Sequence, residues 1–426
     1  MPDGTATAHL YRPKLLTTFR EGYAFEHFQK DVLAALTVAI VALPLSMAIA
    51  VASGVTPERG LYAAIIGGFF VSAFGGSRYQ IGGPAGAFIL LVAATAAKFG
   101  TEGLLLTVFV SGLLLLALGA MRLGSLIRHI PHAVTVGFTA GIAVTILASQ
   151  LRDLGGLGLH GPEPGHLIPK LVTLLHALRT LNWAALITGS AVAVLIFLLK
   201  KRRPSWPGML IAVAVASAVV ALSHLPVETI GSRFGGLPHG LPSPQLPRFS
   251  WALLWQILPA ALSFTLLGGV ESLLSAKVAD SMTSRKHRSN MELVAQGIAN
   301  LASALFGGIS VTGTIARTAT NIRAGARSPL SGMMHAGFVL LFLLVAAPLA
   351  SFVPLSALAG VLVVVCWNMV EKGEFIRLLA DWRAGSVLLV TFGLTMLQDL
   401  TSGIIAGCLL AAVFAVLHRA IPEEGA

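Results

Sequence analysis

Long stretches without Lys, Arg, Asp or Glu alternate with short polar connections along most of the chain. In the first half they cover 32–57, 60–77, 79–97, 103–121, 130–151, 181–199 and 204–227. In the second half they cover 249–270, 293–316, 328–370, 384–398 and 400–417. An α-helix needs about 20 mostly apolar residues to cross a bilayer core, and most of these stretches have that length. Two are composite. The stretch 328–370 is too long for one span and breaks at Ala347-Pro348 and Pro354, so it holds two. Within 293–316, Gly307-Gly308 starts a further short segment that runs through Arg317. The pattern predicts an all-α polytopic membrane protein of about 14 spans, seven per half.

Composition agrees with that class. Of 426 residues, 55% are hydrophobic and 11% charged, and the mean hydropathy is +0.83, whereas soluble domains carry about 25% charged residues. A water-soluble enzyme is excluded, and membrane helices sharing one core replace the two or three domains that length alone suggests. Cys366 and Cys408 sit in apolar runs, so neither a disulfide framework nor a paired cysteine metal site is expected. Residues 1–30 are polar and amphipathic, unlike the short charged region of a cleavable signal. They are expected to form a cytoplasmic segment ahead of the spans.

The basic residues orient the chain. Walking alternately from a cytoplasmic N-terminus puts 21 Lys and Arg inside, seven outside and Arg317 within the membrane. That excess satisfies the positive-inside rule and predicts both termini on the cytoplasmic side. The net charge of +11 therefore needs no nucleic acid: Lys200-Lys201-Arg202-Arg203 abuts a span and reads as an anchor facing anionic lipid.

The halves also repeat. Ser72-Ala73-Phe74-Gly75-Gly76 recurs as Ala304-Leu305-Phe306-Gly307-Gly308, and Ile130-Pro131 with Gly137 matches Val353-Pro354 with Gly360. Seven is odd, so consecutive repeats (31–227 and 249–419) enter the membrane from opposite sides, an inverted pair that points to alternating access. Each repeat offers one break where a short half-helix can start: Gly82-Gly83-Pro84-Ala85-Gly86 in span three, and Thr312-Gly313-Thr314-Ile315-Ala316-Arg317 in span ten. Two facing helix N-termini, each with free N–H groups and a partial positive charge, would bind an anion. The plainer alternative is that these glycines only permit close helix packing.

Two charges interrupt the apolar runs. Glu271 follows 22 uncharged residues and Arg317 follows 24. An ionisable group inside a membrane needs a partner or a function. Arg317 adds a full charge beside the second break. Glu271 lies one turn before Ser275; desolvation favours its neutral acid and a neighbouring cation its carboxylate, the competition a proton carrier uses. The alternative is a static pair of Glu271 with Arg317 or Lys277, although Lys277 reads more simply as snorkelling to the membrane face. His335 reads as a packed polar residue, Asp399 as solvated at a span end, and His129 and His132 as flanking Pro131 without metal-ligand support. The glycines at 82–86 lack the Lys-Ser/Thr of a phosphate-binding loop. No metal, cofactor or catalytic residue is expected.

These residues also carry a resemblance. Leu43-Pro44-Leu45-Ser46-Met47-Ala48, Ile81-Gly82-Gly83-Pro84, and Glu271-Ser272-Leu273-Leu274-Ser275 with Ala279-Asp280 are one part of it. Asn290, Glu292-Leu293, Gln296-Gly297, Asn300 and Phe306-Gly307-Gly308 leading to Arg317-Thr318 are the other. Together they resemble the sulfate permease (SulP) anion transporters over nearly the whole chain. The resemblance implies a core domain (spans 1–4 and 8–11) that moves as an elevator against a gate domain (spans 5–7 and 12–14), and a homodimer. It places substrate between spans three and ten, on Ala85 and Gly86, on Ile315 and Ala316 with Thr314 and Arg317 beside them, and facing Ser46 and Ile49. It gives Glu271, with Ser275, the place of an acidic residue implicated in cation coupling. Leu45 stands where members often carry Gln, and Ala85 and Ala316 replace larger or hydroxyl residues. A cytoplasmic STAS domain usually follows the last span in the family; here 420–426 reads as a short tail.

The expected function is secondary transport: proton-coupled uptake of a small anion, with dicarboxylates such as fumarate ahead of sulfate or bicarbonate. The rivals are a nucleobase-cation symporter of the same fold, an anion channel, and a membrane-embedded lipid transferase, which would need clustered Asp or His near one face.

Overall fold

The computed structural model describes residues 11–420 except 125–130, 160, 162, 165, 205 and 399, and not the side chains of 400, 401 and 417–420. Arg128, His129, Ile130, Asp399, the Arg419 side chain and the tail 421–426 therefore lie outside the described residues. The chain starts with a short helix α1 (Lys14–Arg20) and the first span α2 (Phe25–Ala52). The second span is α3 (Pro57–Tyr62), a π-helical turn (Ala63–Gly67) and α4 (Gly68–Phe74). After β1 (Gly82–Gly83) and a 3₁₀ turn (Gly86–Phe88), helix α5 (Ile89–Ala120) supplies spans three and four, divided at Gly100, whose φ of 68° no continuous helix adopts. Then come α6 (His132–Gly155), the short α7 (Leu167–His176), α8 (Trp183–Arg202), α9 (Gly208–Ser223) and α10 (Ile230–Phe234).

The second half follows the same order. Span eight is α11 (Trp251–Met282), span nine α12 (Ser289–Leu305), and after β2 (Thr312–Gly313) the short α13 (Ile315–Arg323) is span ten. Next are α14 (Leu330–Val345), α15 (Ala347–Ala350), α16 (Leu355–Met369), the short α17 (Lys372–Leu379), α18 (Trp382–Leu397) and α19 (Leu400–Ala420). The composite stretches divide where Pro348, Pro354 and the Gly307-Gly308 pair interrupt them.

The repeat is visible in the packing. Pro131 and Pro354 both stand one residue before a helix, with φ −60°, ψ 139° and φ −70°, ψ 139°. A side chain on Gly137 would strike the Leu388 backbone of α18, and one on Gly360 the Gly189 backbone of α8. Span four meets span nine at Gly112 and Gly297, and span eleven meets span two at Gly332 and Ser72. Helix α12 packs on α4 and α5, and α14 on α2 and α4, while α6 packs on α16 and α18.

Sequence patterning misplaced one boundary and missed several short elements. The first span begins at Phe25, inside the segment 1–30, because Lys30 pairs with Glu26 one turn away at 2.5 Å and Asp31 is buried. Asp31 accepts hydrogen bonds from the Arg327 and Ser328 N–H groups (2.6 and 3.1 Å) and from Tyr23 Oη (2.7 Å). Helices α1, α7, α10 and α17 are too short for an apolar-length criterion to register.

At the Gly112–Gly297 contact, an ideal Cβ on Gly297 would lie 2.7 Å from both Gly112 O and Leu116 N. Gly297→Val is expected to lower stability by ~1–3 kcal/mol through overpacking, read as a lower melting midpoint of the detergent-solubilised protein, with Gly337→Ala, where a Cβ meets nothing within 4 Å, as the neutral control.

Candidate functional site

The two breaks meet. Strands β1 and β2 pair antiparallel, with Gly82 opposite Gly313 and Gly83 opposite Thr312. Broken backbone at membrane depth persists only if its N–H and C=O groups find partners. Here they do. Ile81 O accepts from Thr314 N (3.0 Å) and Thr314 Oγ1 (3.1 Å), and Ile81 N–H donates to Thr318 Oγ1 (3.1 Å). Asn300 brackets Val311, accepting its N–H at 2.9 Å and donating to its carbonyl at 2.8 Å. Ser303 Oγ donates to Ile309 O (2.7 Å), and Thr312 Oγ1 to Gly268 O (3.1 Å).

Glu292 performs the matching task for the first break. Its Oε2 accepts the Gly76 and Ser77 N–H groups at 2.9 and 3.0 Å. Its Oε1 accepts Gln80 Nε2 (2.9 Å) and Gln296 Nε2 (3.1 Å). Gln80 also donates to Ser272 Oγ (2.8 Å), and its side chain fills the space where a Cβ on Gly313 would sit. Glycine is thus required at 313 by close approach.

From the paired strands two helix starts open. Ala85, extended at φ −119°, ψ 146°, precedes the turn at Gly86; Thr314, extended at φ −104°, ψ 121°, precedes α13. Ala85 is buried and Gly86 half-buried, with the Met369 sulfur of α16 placed 3.5 Å from where a Gly86 Cβ would be. Ile315 and Ala316 are exposed, but Arg317 is 2% exposed. Arg317 Nη2 donates to Ser46 Oγ (3.2 Å) and Pro84 O (3.3 Å), tying the first span and the first break to the second. Its Nε and Nη1 are enclosed without a hydrogen-bond partner. Two helix N-termini and an incompletely satisfied guanidinium converge on one place, an arrangement suited to an anion.

The remaining predicted residues fall around it. Ile49 is packed in the core at 2% exposure. Ser275 Oγ donates to Thr318 Oγ1 (3.1 Å), which links α11 to the residue holding Ile81. Glu271 Oε2 is enclosed without a partner, and among the described residues Glu271 forms no ion pair with Arg317 or Lys277. The static pair considered from the sequence is absent from this structure. His335 is fully buried, and neither ring nitrogen has a partner. His132 lies 3.4 Å from Glu374 at an exposed site. Sequence reasoning did not assign roles to Glu292, Gln296 and Asn300, yet their spacing of four places them on one face of α12. That polar stripe on an otherwise apolar helix was the available signal.

Two discontinuous helices that cross at a buried arginine, within two repeats of one architecture, define a broken-helix membrane transporter. A profile of the sulfate permease family matches residues 28–392, and the chain belongs to that family. It is 47% identical over 398 residues to the Bacillus subtilis (strain 168) protein named "Putative sulfate transporter YvdB", covering 92% of this chain and 74% of the relative. It is 31% identical over 406 residues to the bicarbonate transporter BicA of Picosynechococcus sp., covering 92% of this chain and 71% of BicA. The solved transmembrane domain of a cyanobacterium BicA superposes with a TM-score of 0.79 at 28% identity, over 91% of this chain and 98% of that one. The structure of SLC26A9 superposes with a TM-score of 0.88 over 97% of this chain and 69% of that one; at 19% identity this bears on the fold alone. The protein is a multi-pass membrane anion transporter of this family, not an enzyme.

Thr318 gives a direct test of how the breaks are held. Thr318→Val leaves Ile81 N–H and Ser275 Oγ without their acceptor and is expected to cost ~1–3 kcal/mol. Thr318→Ser keeps the hydroxyl and is expected to restore most of the melting midpoint.

Proposed function

We propose that this chain takes up a small oxyanion by alternating access, with the anion held between spans three and ten and its uptake coupled to protons through Glu271. The observation that carries the reading is the meeting of both half-helix starts at the enclosed Nε and Nη1 of Arg317. Backbone donors at Ala85, Gly86, Ile315 and Ala316 suit a compact anion, because the small side chains of Ala85, Gly86 and Ala316 leave the N–H groups approachable. The names of the relatives put sulfate and bicarbonate ahead of the C4-dicarboxylates that sequence alone favoured.

Glu271 supports proton coupling by its surroundings. Its enclosed oxygen has no cation beside it, so protonation is the direct route to neutrality in a membrane interior. A proton taken up there offsets charge carried by the anion as spans 1–4 and 8–11 move past spans 5–7 and 12–14. The excess of basic residues in alternate loops supports cytoplasmic termini in a bacterial inner membrane. The family resemblance supports a homodimer.

Uptake of labelled sulfate, bicarbonate, chloride and fumarate into proteoliposomes under an imposed pH gradient tests the substrate and the coupling together. Glu271→Gln is expected to bind the anion but to lose the acceleration by an inward proton gradient; unchanged pH dependence would remove Glu271 from the mechanism. Arg317→Ala is expected to weaken anion binding by about 30-fold or more, the effect of deleting one member of a buried charge interaction. Arg317→Lys, which keeps the charge but loses the planar fork, is expected to fall between.

A further inference from the structure

A cavity of about 580 Å³ lies apart from the paired strands, where the N-terminal segment folds over the ends of three connections. Arg78, between α4 and β1, lines it, as do Arg285, between α11 and α12, and Arg327, between α13 and α14. Thr18, Tyr23 and Ser284 add hydroxyl groups. Against three guanidinium groups, the described lining offers one carboxylate, Glu21. Its Oε2 takes a hydrogen bond from Arg78 Nη2 and lies 3.2 Å from Arg285 Nη1. The bond from Arg78 holds the Glu21 carboxyl below the usual carboxylate range. The Arg78 side chain is only 7% exposed, and its Nε is enclosed without a partner.

Positive charge is in excess around this cavity. Lys14, on α1, is pushed down to about 8, chiefly by burial and then by the nearby Arg288 and Arg78. Burial alone lowers a lysine, and here Arg288 and Arg78 lower it further against the smaller opposing effects of Asp280 and Glu21. Glu21 therefore occupies a place whose donors exceed what one carboxylate can accept. A dianionic phosphate group carries about −1.5 to −2 charge and three strong acceptor oxygens, enough to engage all three arginines. The cavity volume falls within the range of small-molecule sites, roughly 300–1,000 Å³.

We propose that this cavity binds a dianionic phosphate group on the membrane face that carries the N-terminal segment, with Glu21 as the built-in competing anion. Two sources share that chemistry: a soluble phosphomonoester and a lipid phosphomonoester. The lipid source is within reach because α1 and the start of α2 expose Leu16 and Phe19 (52% each) and Phe25 (72%), the apolar face of a segment at the lipid interface. A bound phosphate would release the end of α1 from Arg78 and Arg285 and join three connections of the helices that hold the breaks.

The test measures binding to the full chain in detergent with inorganic phosphate and adenosine 5′-monophosphate, and in phosphatidylcholine nanodiscs with and without phosphatidic acid. All proteins carry Arg317→Ala, so that the transport site does not contribute. Glu21→Gln is expected to tighten binding by about fivefold and Arg285→Gln to weaken it by about fivefold, the range of a partly exposed ion pair. Arg285 is 53% exposed, so its variant is expected to keep the parent melting midpoint. Binding of the soluble probes assigns a soluble ligand, and a response to phosphatidic acid alone assigns the lipid. Absence of binding by every probe in the Glu21→Gln background, or affinities indifferent to Glu21 and Arg285, would overturn the proposal.

Discussion

The structure depends on satisfying backbone that is broken inside the membrane. An interrupted helix exposes N–H and C=O groups where there is no bulk water to meet them, and each one left unpaired costs several kcal/mol. The fold meets this requirement twice over. The breaks pair with each other as β1 and β2, and α12 presents Glu292, Gln296 and Asn300 along one face to hold what remains. Close contact of α12 with α5 at Gly112 and Gly297 keeps that face in register. The candidate anion site is a consequence: once the breaks are held apart from ordinary helix geometry, two helix N-termini are left pointing at the same place.

Hydrogen bonding sorts the buried charges by role. Asp31 and Glu292 are both fully buried, and both accept hydrogen bonds from backbone and side-chain donors. They act as fixed caps for a loop and a break. Arg317 and Glu271 differ, each retaining enclosed atoms without a protein partner. Native proteins rarely leave such atoms unmatched, and the proposed anion and proton sites would supply the missing partners of these two residues. This separates Glu292, whose two carboxyl oxygens are hydrogen-bonded, from Glu271, whose Oε2 is enclosed without a partner.

Much of this was legible in the sequence because membranes constrain composition so strongly. Apolar length located the spans, glycine and proline located the breaks, and the proline pair Pro131 and Pro354 marked equivalent helix starts. What was not legible depends on contacts between distant segments. The charges at Glu26, Lys30 and Asp31 suggested a polar segment, but a local pair and the distant Ser328 loop absorb them into the first span. Ser275 stood near Glu271 in sequence, yet its hydroxyl is directed to Thr318, on a helix more than forty residues away. The exposure of Ile315 and Ala316 beside the burial of Arg317 also follows only from the crossing of the two breaks.

The inverted repeat makes the backbone of the site nearly symmetric, and the side chains undo that symmetry. Counting from Ala85 and Thr314, the third residue is Phe88 on one side and Arg317 on the other. Phe88 packs against Phe264 with ring centroids 5.5 Å apart, whereas Arg317 reaches across to Ser46 and Pro84. Both halves thus supply a helix N-terminus, but only one supplies a formal charge. A second arginine at the Phe88 position would deepen the well for an anion and oppose its release, and it would raise the cost of burying cations in a membrane. In the proposed site, two partial charges and one full charge would balance the attraction that desolvates a small anion against the need to release it when the site opens on the other side.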